Sequence, residues 1–191
     1  MGSSGGSDIY DAGPKRQESG NISMTEITIQ AARSGDQEVL SALLAASYAS
    51  LKGSYDPHGL DAALPYMSRA NPKLLAGGTY YIAAIGGEPA GCGGWSMEKP
   101  GSGEIVPGIG HIRHFATHPH HMRKGVARSL LRRCLEEASA AGFRTMVCQS
   151  TLPAEGFYRS AGFRRLGIVE VELGPALLLP AVEMRLDLSV G

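Results

Sequence analysis

The sequence predicts a mixed α/β domain built on one central sheet. Strand-like and helix-like patterns follow one another in the order strand, two helices, three strands, helix, strand, helix and two strands. Residues 79–98 contain two β-rich runs around a GGEP turn, which is typical of a hairpin. Residues 110–150 have the pattern strand, helix, strand, and such a crossover connects two parallel strands.

The overall composition is that of an ordinary globular protein. The 191 residues are 43% hydrophobic and 19% charged, with a formal net charge of zero. This balance lacks the basic footprint of a nucleic-acid-binding protein. The apolar runs are shorter than a membrane span, and the N-terminus has no signal-peptide pattern. We therefore expect a cytoplasmic protein that binds neither nucleic acid nor membranes.

The first half of the chain begins with a segment that does not resemble folded structure. Residues 1–23 are rich in Gly and Ser and predict a flexible leader or a segment added by cloning, so we place the domain at 24–191. Residues 25–32 alternate as a strand does. After Asp36, apolar residues recur at helical spacing. A second helix is predicted over 60–70, after a loop at 50–59.

The second half of the chain contains the strongest helix pattern. Residues 125–141 carry an apolar stripe on one face, and Gly142 is a typical C-terminal cap. Residues 145–150 predict a strand and 153–160 a short helix. Two more strands are predicted over the segments 163–173 and 181–188.

The three cysteines give no sign of a disulfide framework or a zinc site. Cys92, Cys134 and Cys148 are far apart, and none belongs to a CxxC pair. Each lies among apolar or small residues. We predict three buried, reduced thiols.

The stretch HIRHFATHPHHMRKGVARSLL, residues 111–131, holds five of the six histidines. A strand there leads through a turn into Gly-x-Ala and a long helix. Free amides at a helix start and the helix dipole both favour a bound pyrophosphate. Gly125 would let the phosphates approach the backbone, and the nearby basic side chains would add positive charge. The alternative is a plain helix start with solvated basic residues.

The spacing of apolar residues in the preceding strand predicts a bulge. Ile112 and Phe115 are three positions apart, which places them on opposite faces of a regular strand. If both belong to the core, an extra residue near Arg113–His114 must bulge the strand. The bulge would separate this strand from its neighbour and open a slot before the phosphate loop.

Two motifs together resemble the GCN5-related N-acetyltransferase (GNAT) family. The window Met122–Ala127 is similar to the family's acyl-coenzyme A motif, Q/R-x-x-G-x-G/A between a strand and a helix. The stretch TLPAEGFYRSAGFRRLG is similar to its second signature through Ala154, Phe157, Tyr158, Gly162 and Phe163. The resemblance covers about residues 25–188. It implies a mixed, mostly antiparallel sheet of about six or seven strands, splayed at the cofactor slot, with about four helices.

The resemblance also implies an activity, which is the transfer of an acetyl group from acetyl-CoA to a primary amine of a small molecule or peptide. The transfer would be direct, in a ternary complex, and would need no metal. Tyr158 would protonate the departing thiolate, a role that suits a phenol. The backbone of three residues would bind the pantetheine arm and polarise the thioester carbonyl: Phe115, Ala116 and Thr117. The amides of six residues would hold the pyrophosphate: Arg123, Lys124, Gly125, Val126, Ala127 and Arg128.

Three positions depart from the family pattern. Met122 replaces a Gln or Arg, and Thr151 replaces an Asn that contacts the cofactor in many members, so we expect a weaker contact from Thr151. Met146 stands where some members carry a glutamate base. The base is therefore open between His111, His114, Glu104 and a water chain. We place His111 first.

Rival functions account for less of the sequence. A metal site needs three or four converging ligands, and the histidine spacing on a strand and turn points the side chains apart. The basic residues after His121 have no interleaved aromatic residues, as a nucleic-acid surface would. The departures from the family pattern keep open a non-catalytic module that binds acetyl-CoA or a partner chain, whereas retention of Tyr158 favours an enzyme.

The acceptor cannot be read from the sequence. We expect it to be shaped by residues 48–75 and by a loop at 171–180, neither of which has a charge pattern that identifies one class of amine. Asp56 and Asp61 could attract an amine, but two surface acids are common. A homodimer is a possibility that the family suggests.

Overall fold

The strands form where β-branched and aromatic residues alternate with small ones. The structure is a computed structural model that describes residues 26–174 and 176–188, so the predicted leader lies outside the described residues. The described strands are β1 (Ile27–Ala31), β2 (Tyr80–Ile85), β3 (Glu88–Ser96), β4 (Ile109–Thr117), β5 (Thr145–Ser150), β6 (Arg164–Gly174) and β7 (Leu177–Asp187).

These strands form one seven-stranded sheet in the order β1-β2-β3-β4-β5-β7-β6. The β4–β5 pair is parallel and the other five described pairs are antiparallel. The mixed, mostly antiparallel sheet expected from the sequence is confirmed. The parallel pair is connected by the long helix between β4 and β5, as a crossover requires.

The helices of the described residues are α1 (Gln37–Tyr48), α2 (Pro57–Met67), α3 (Pro72–Ala76), α4 (Val126–Ala140) and α5 (Glu155–Ser160). Four short 3-10 turns cover Ser34–Asp36, Ala49–Leu51, Pro119–His121 and Leu152–Ala154. Helix α4 ends as predicted, because Gly142 has a φ of 86° and the amide of Phe143 donates to the Ala138 carbonyl at 3.0 Å.

The predicted loop over 50–59 was wrong at its end, because α2 begins at Pro57 instead of residue 60. Asp56 caps this helix: its carboxylate accepts from the Gly59 amide at 2.8 Å. Pro57 occupies the first turn, where a missing N–H costs nothing. The sequence Asp-Pro therefore contained a helix-start signal that the loop-like composition concealed. Helix α3, which starts after Asn71, was not predicted.

The predicted loop over 171–180 was also wrong. Residues 171–174 belong to β6 and 177–180 to β7, with Val171 opposite Leu179 and Gly174 opposite Leu177. The two strands are thus one long hairpin, although Pro180 lies in the second. Proline is tolerated there because the β5–β7 pairing ends at Val182, so Pro180 has a strand neighbour, β6, on one side only.

The sheet separates two hydrophobic cores. The face covered by α4 and α5, here called the α4 face, includes Ile112, Val126, Met146 and Tyr158. The opposite face, covered by α1 and α3 and here called the α1 face, includes the buried side chains Leu40, Leu44, Tyr80, Cys92 and Ala116. A smaller cluster joins α2 to β7.

Two other sequence predictions concern the core and membrane association. The three cysteines are free and buried, as predicted. Within the described residues, none of the helices has the length and apolar character needed to cross a bilayer.

Candidate active site

A slot opens between β4 and β5. These parallel strands share three residue pairs, the last of which is His111–Val147. Beyond that pair β4 continues to Thr117 and β5 to Ser150 without pairing to each other. The strand edges therefore diverge from His111 onward, and we call the space between residues 112–117 and 148–150 the slot. The splayed sheet predicted from the sequence is confirmed.

The bulge that was predicted in β4 lies at this slot. Cys92 pairs with Ala116 and Gly94 with Arg113, so His114 and Phe115 together oppose the single residue Gly93. His114 has a φ of 51°, a conformation that side chains other than glycine seldom adopt.

Because of the bulge, Ile112 and Phe115 both contact the core on the α4 face. The glycine opposite the bulge is needed for space, since a Cβ on Gly93 would lie 2.6 Å from the Phe115 ring. Gly91 and Gly93 of β3 thus allow close approach by β4.

The turn before α4 has the backbone shape of an anion cradle. Arg123 has a φ of 61° and Gly125 a φ of 87°, so two residues of this turn are left-handed. No described side chain caps the start of α4, which leaves the first amides of the helix free for another acceptor. Val126 is buried, whereas Arg123 and Lys124 are exposed, so the cradle is anchored on one side and positively charged on the other.

Tyr158 packs near the bulged residue Phe115, on the α4 face beside the slot. It is 5% exposed and its ring centre is 6.3 Å from that of Phe115, with Phe163 packed at 5.4 Å on another side. Its hydroxyl has no hydrogen-bond partner among the described residues. Burial raises the pKa of Tyr158 well above its ordinary value, with smaller contributions from nearby thiols and Tyr48. The phenol is therefore protonated at physiological pH and able to donate.

His111 lies at the floor of the slot. It is 6% exposed, and it pairs with Val147 on one side and Ser96 on the other. Burial lowers the pKa of His111, as do the charges of Arg113 and Lys99, while Glu104 raises it. The imidazole is thus neutral near pH 7 and has a nitrogen lone pair available to accept a proton.

His114, the bulged residue, lies in a different environment. Its ring makes an edge contact with Tyr80 at 6.0 Å, and its buried Nδ1 has no partner in the described structure. Burial, with Arg113 adding a smaller effect, lowers the pKa of His114 to about 4. Such a histidine is neutral at pH 7 but a weaker base than an unperturbed one.

The remaining predicted residues occupy varied positions. Thr151 directly follows β5, and its side chain does not cap the short turn that comes next. Met146 is fully buried on the α4 face, so a base at that position would point into the core. Glu104 is exposed in the loop before β4. The turn histidines contact one another, with His118 and His120 ring centres 5.0 Å apart.

Three residues near the slot were not identified from the sequence. The Ser47 hydroxyl accepts from the Thr117 amide at 3.4 Å, so one backbone group of the expected pantetheine site already has a weak partner. The Tyr55 hydroxyl accepts from the Leu152 amide at 2.8 Å and so ties the α1–α2 connection to the end of β5. The pKa of Tyr48 is raised mainly by burial and also by Cys92 and Tyr55. Nothing in the local sequence marks these contacts.

Among the described residues there is no group of three or more His, Cys, Asp or Glu side chains that could hold a metal ion. The histidine-rich stretch is divided between a buried strand and an exposed turn. The metal-site alternative therefore has no geometric support in this part of the chain.

Comparisons with known proteins agree with this geometry. The model of the acetyltransferase (GNAT) family matches residues 44–163, which include the slot, the cradle and Tyr158. The chain belongs to the acetyltransferase (GNAT) family. YsnE of Bacillus subtilis strain 168, an uncharacterized N-acetyltransferase, is 33% identical over 91 residues, or 45% of this chain. The match spans only 56% of that protein's length.

Solved structures show the same fold. A GCN5-related N-acetyltransferase from Rhodopseudomonas palustris superposes with a TM-score of 0.70 at 19% identity, covering 88% of this chain and 100% of the other. The YncA protein of Salmonella typhimurium, solved with its cofactor acetyl-CoA, gives a TM-score of 0.57 at 21% identity, covering 86% and 95%.

Proposed function

We propose that the protein is an acetyl-CoA-dependent N-acetyltransferase that moves an acetyl group to a primary amine in a ternary complex. The observation that carries the proposal is the slot between β4 and β5, which lies beside Tyr158. Strand β4, which borders the slot, continues through a turn into the uncapped start of α4. A thioester needs a narrow path through the sheet, and its diphosphate needs free amides at the outer end. Family membership and the acetyl-CoA-bound YncA structure support the same ligand.

In the proposed reaction the neutral amine attacks the thioester carbonyl carbon, and the carbonyl oxygen gains negative charge. Backbone N–H groups of the bulged segment 115–117 stabilise that charge. The carbon–sulfur bond then breaks, and Tyr158 donates its proton to the departing thiolate. The proton lost by the amine goes to His111 or to water. The products are the acetamide and coenzyme A.

The pyrophosphate is assigned to the amides from Arg123 to Arg128, with the exposed basic side chains as countercharge. Thr151, at the end of β5, contributes a hydroxyl near the slot. Cytoplasmic location and a homodimer stay predictions.

The test measures coenzyme A release from acetyl-CoA with a panel of primary amines. Tyr158→Phe is expected to lower turnover at least about ten-fold, because the thiolate loses its acid, while acetyl-CoA binding stays nearly unchanged. Tyr81→Phe is the matched control, because it also removes one hydroxyl from a buried tyrosine. Tyr81 lies on β2, and its hydroxyl donates a hydrogen bond to the Glu137 carboxylate on α4.

Two results would contradict the proposal in different ways. Equal turnover of Tyr158→Phe and the unsubstituted protein would remove Tyr158 from the mechanism. Tight acetyl-CoA binding without thiol release for every amine would instead indicate the non-catalytic acetyl-CoA-binding module.

A further inference from the structure

Arg113 is a half-buried cation without a carboxylate partner among the described residues. It follows Ile112, whose side chain packs on the α4 face, so the arginine lies on the α1 face of β4. Its Nη1 donates to the Ser96 hydroxyl at 2.8 Å. No described carboxylate oxygen lies within 4.0 Å of its guanidinium, and the five ion pairs of the described residues all involve other arginines.

The guanidinium has unused binding capacity. An arginine has five N–H donors arranged in a planar fork, and the described structure pairs one nitrogen, with a neutral hydroxyl. Burial lowers the pKa of Arg113, which shows that its charge is incompletely solvated. A charge in such a setting is stabilised by an anion that accepts two parallel hydrogen bonds.

The charged and titratable neighbours of Arg113 come from three segments. His111 and His114 flank it on β4, and Tyr80 faces it from β2. Glu98, two residues after the end of β3, is an exposed acid beyond ion-pair distance. Both histidines are neutral near pH 7, so among the described residues no ion pair neutralises the charge of Arg113.

Arg113 also lies next to the proposed thioester site. It directly precedes the bulge, two residues after the last β4–β5 pair. The predicted thioester site, Phe115 to Thr117, begins two residues later. An acceptor whose amine reaches the thioester from the α1 face brings its remaining groups close to this guanidinium.

We propose that Arg113 binds a carboxylate of the acceptor, so that the substrates are amino acids or other primary amines that carry a free carboxylate. The proposal rests on the proposed function, because it assigns the acceptor half of the same site. Arginine is suited to this role, since its fork matches both oxygens of a carboxylate and orients the amine relative to it.

The test compares amino acids with their carboxamides, which keep the amine and side chain but lack the negative charge. For the unsubstituted protein, kcat/KM is expected to favour the free acids. In Arg113→Gln the ratio of kcat/KM for acid over carboxamide is expected to fall at least about ten-fold, with little change for the carboxamides themselves. Arg33→Gln, at an exposed arginine beyond β1, is the matched control and is expected to keep the original ratio.

A second readout does not depend on turnover. In the presence of coenzyme A, N-acetylalanine, N-acetylmethionine and N-acetylphenylalanine are titrated against their carboxamides by calorimetry. The acids are expected to bind more tightly, and Arg113→Gln is expected to remove the difference. Glu98→Gln should strengthen binding of the acids by removing the competing charge.

The two readouts separate failure of this inference from failure of the proposed function. An unchanged acid-to-carboxamide ratio in Arg113→Gln, or no preference for acids in the unsubstituted protein, would overturn the carboxylate subsite. If no amine yields thiol, the proposed function fails, and the calorimetric comparison still decides whether Arg113 binds carboxylates.

Discussion

Replacing Gly93 by alanine places one methyl group against the ring that borders the slot. The added Cβ would lie 2.6 Å from the nearest Phe115 ring carbons, whereas ordinary contact begins near 3.4 Å, so the ring must move by at least 0.8 Å (3.4 − 2.6). Phe115 is only partly buried, which lets its ring move toward the slot. We expect a cost of about 1–2 kcal/mol, at the lower end for overpacking.

The displaced ring also reaches the proposed acetyl-CoA site, because the ring centres of Phe115 and Tyr158 are 6.3 Å apart. We therefore expect Gly93→Ala to weaken acetyl-CoA binding by at least about five-fold. Urea denaturation gives the free energy of unfolding, and calorimetry with acetyl-CoA gives the dissociation constant.

Gly167→Ala is the control for this experiment. Gly167 is also a strand glycine, but a Cβ there has no neighbour within 4 Å and its φ is not positive. That change is expected to be neutral or to stabilise the protein by about 0.4–1 kcal/mol, because alanine lowers the conformational entropy of the unfolded chain. Equal unfolding free energies and equal acetyl-CoA affinities of the two variants would contradict the predicted clash between the new Cβ and the Phe115 ring.

Two further predictions concern the cradle and the bulged histidine. Aspartate and asparagine both adopt a left-handed conformation more readily than most residues, so either can replace Gly125 at its φ of 87°. Only Gly125→Asp adds a negative charge at the helix start. Asp is expected to weaken acetyl-CoA binding at least about ten-fold relative to Asn without lowering the unfolding temperature; equal affinities would show that the phosphates bind elsewhere. The lowered pKa of His114, about 4, means that the unfolded chain binds an additional proton between about pH 6.5 and 4. The unfolding free energy should therefore fall by about 2–3 kcal/mol as pH drops through this window, and His114→Asn should remove that part of the slope in urea titrations; an unchanged slope would contradict it.

Much of the fold was predictable because its signals are local. The helix over residues 126–140 follows from an apolar stripe within the segment and from Gly142, two residues beyond its end. The errors came from segments with conflicting signals. Residues 171–180 contain Gly and Pro and appear loop-like, yet long-range pairing with the neighbouring strand extends the hairpin through them.

The candidate site divides in the same way. Gly125 and Tyr158 belong to motifs that can be recognised in a few adjacent residues. Ser47 and Tyr55 reach the slot from the α1–α2 region. Their hydrogen-bond partners, Thr117 and Leu152, are 70 and 97 positions further along the chain. No local pattern encodes such contacts, so sequence reasoning missed them.

The sequence by itself determined the order of elements apart from α3, the bulge near residue 114 and the open helix start after residue 124, because each depends on the spacing of nearby residues. Only the tertiary structure decided that β4 and β5 part after His111, that the rings of Phe115 and Tyr158 pack close together beside the slot, and that Arg113 has no acidic partner among the described residues. These features depend on the register between strands distant in the chain, and that register results from packing of the whole sheet.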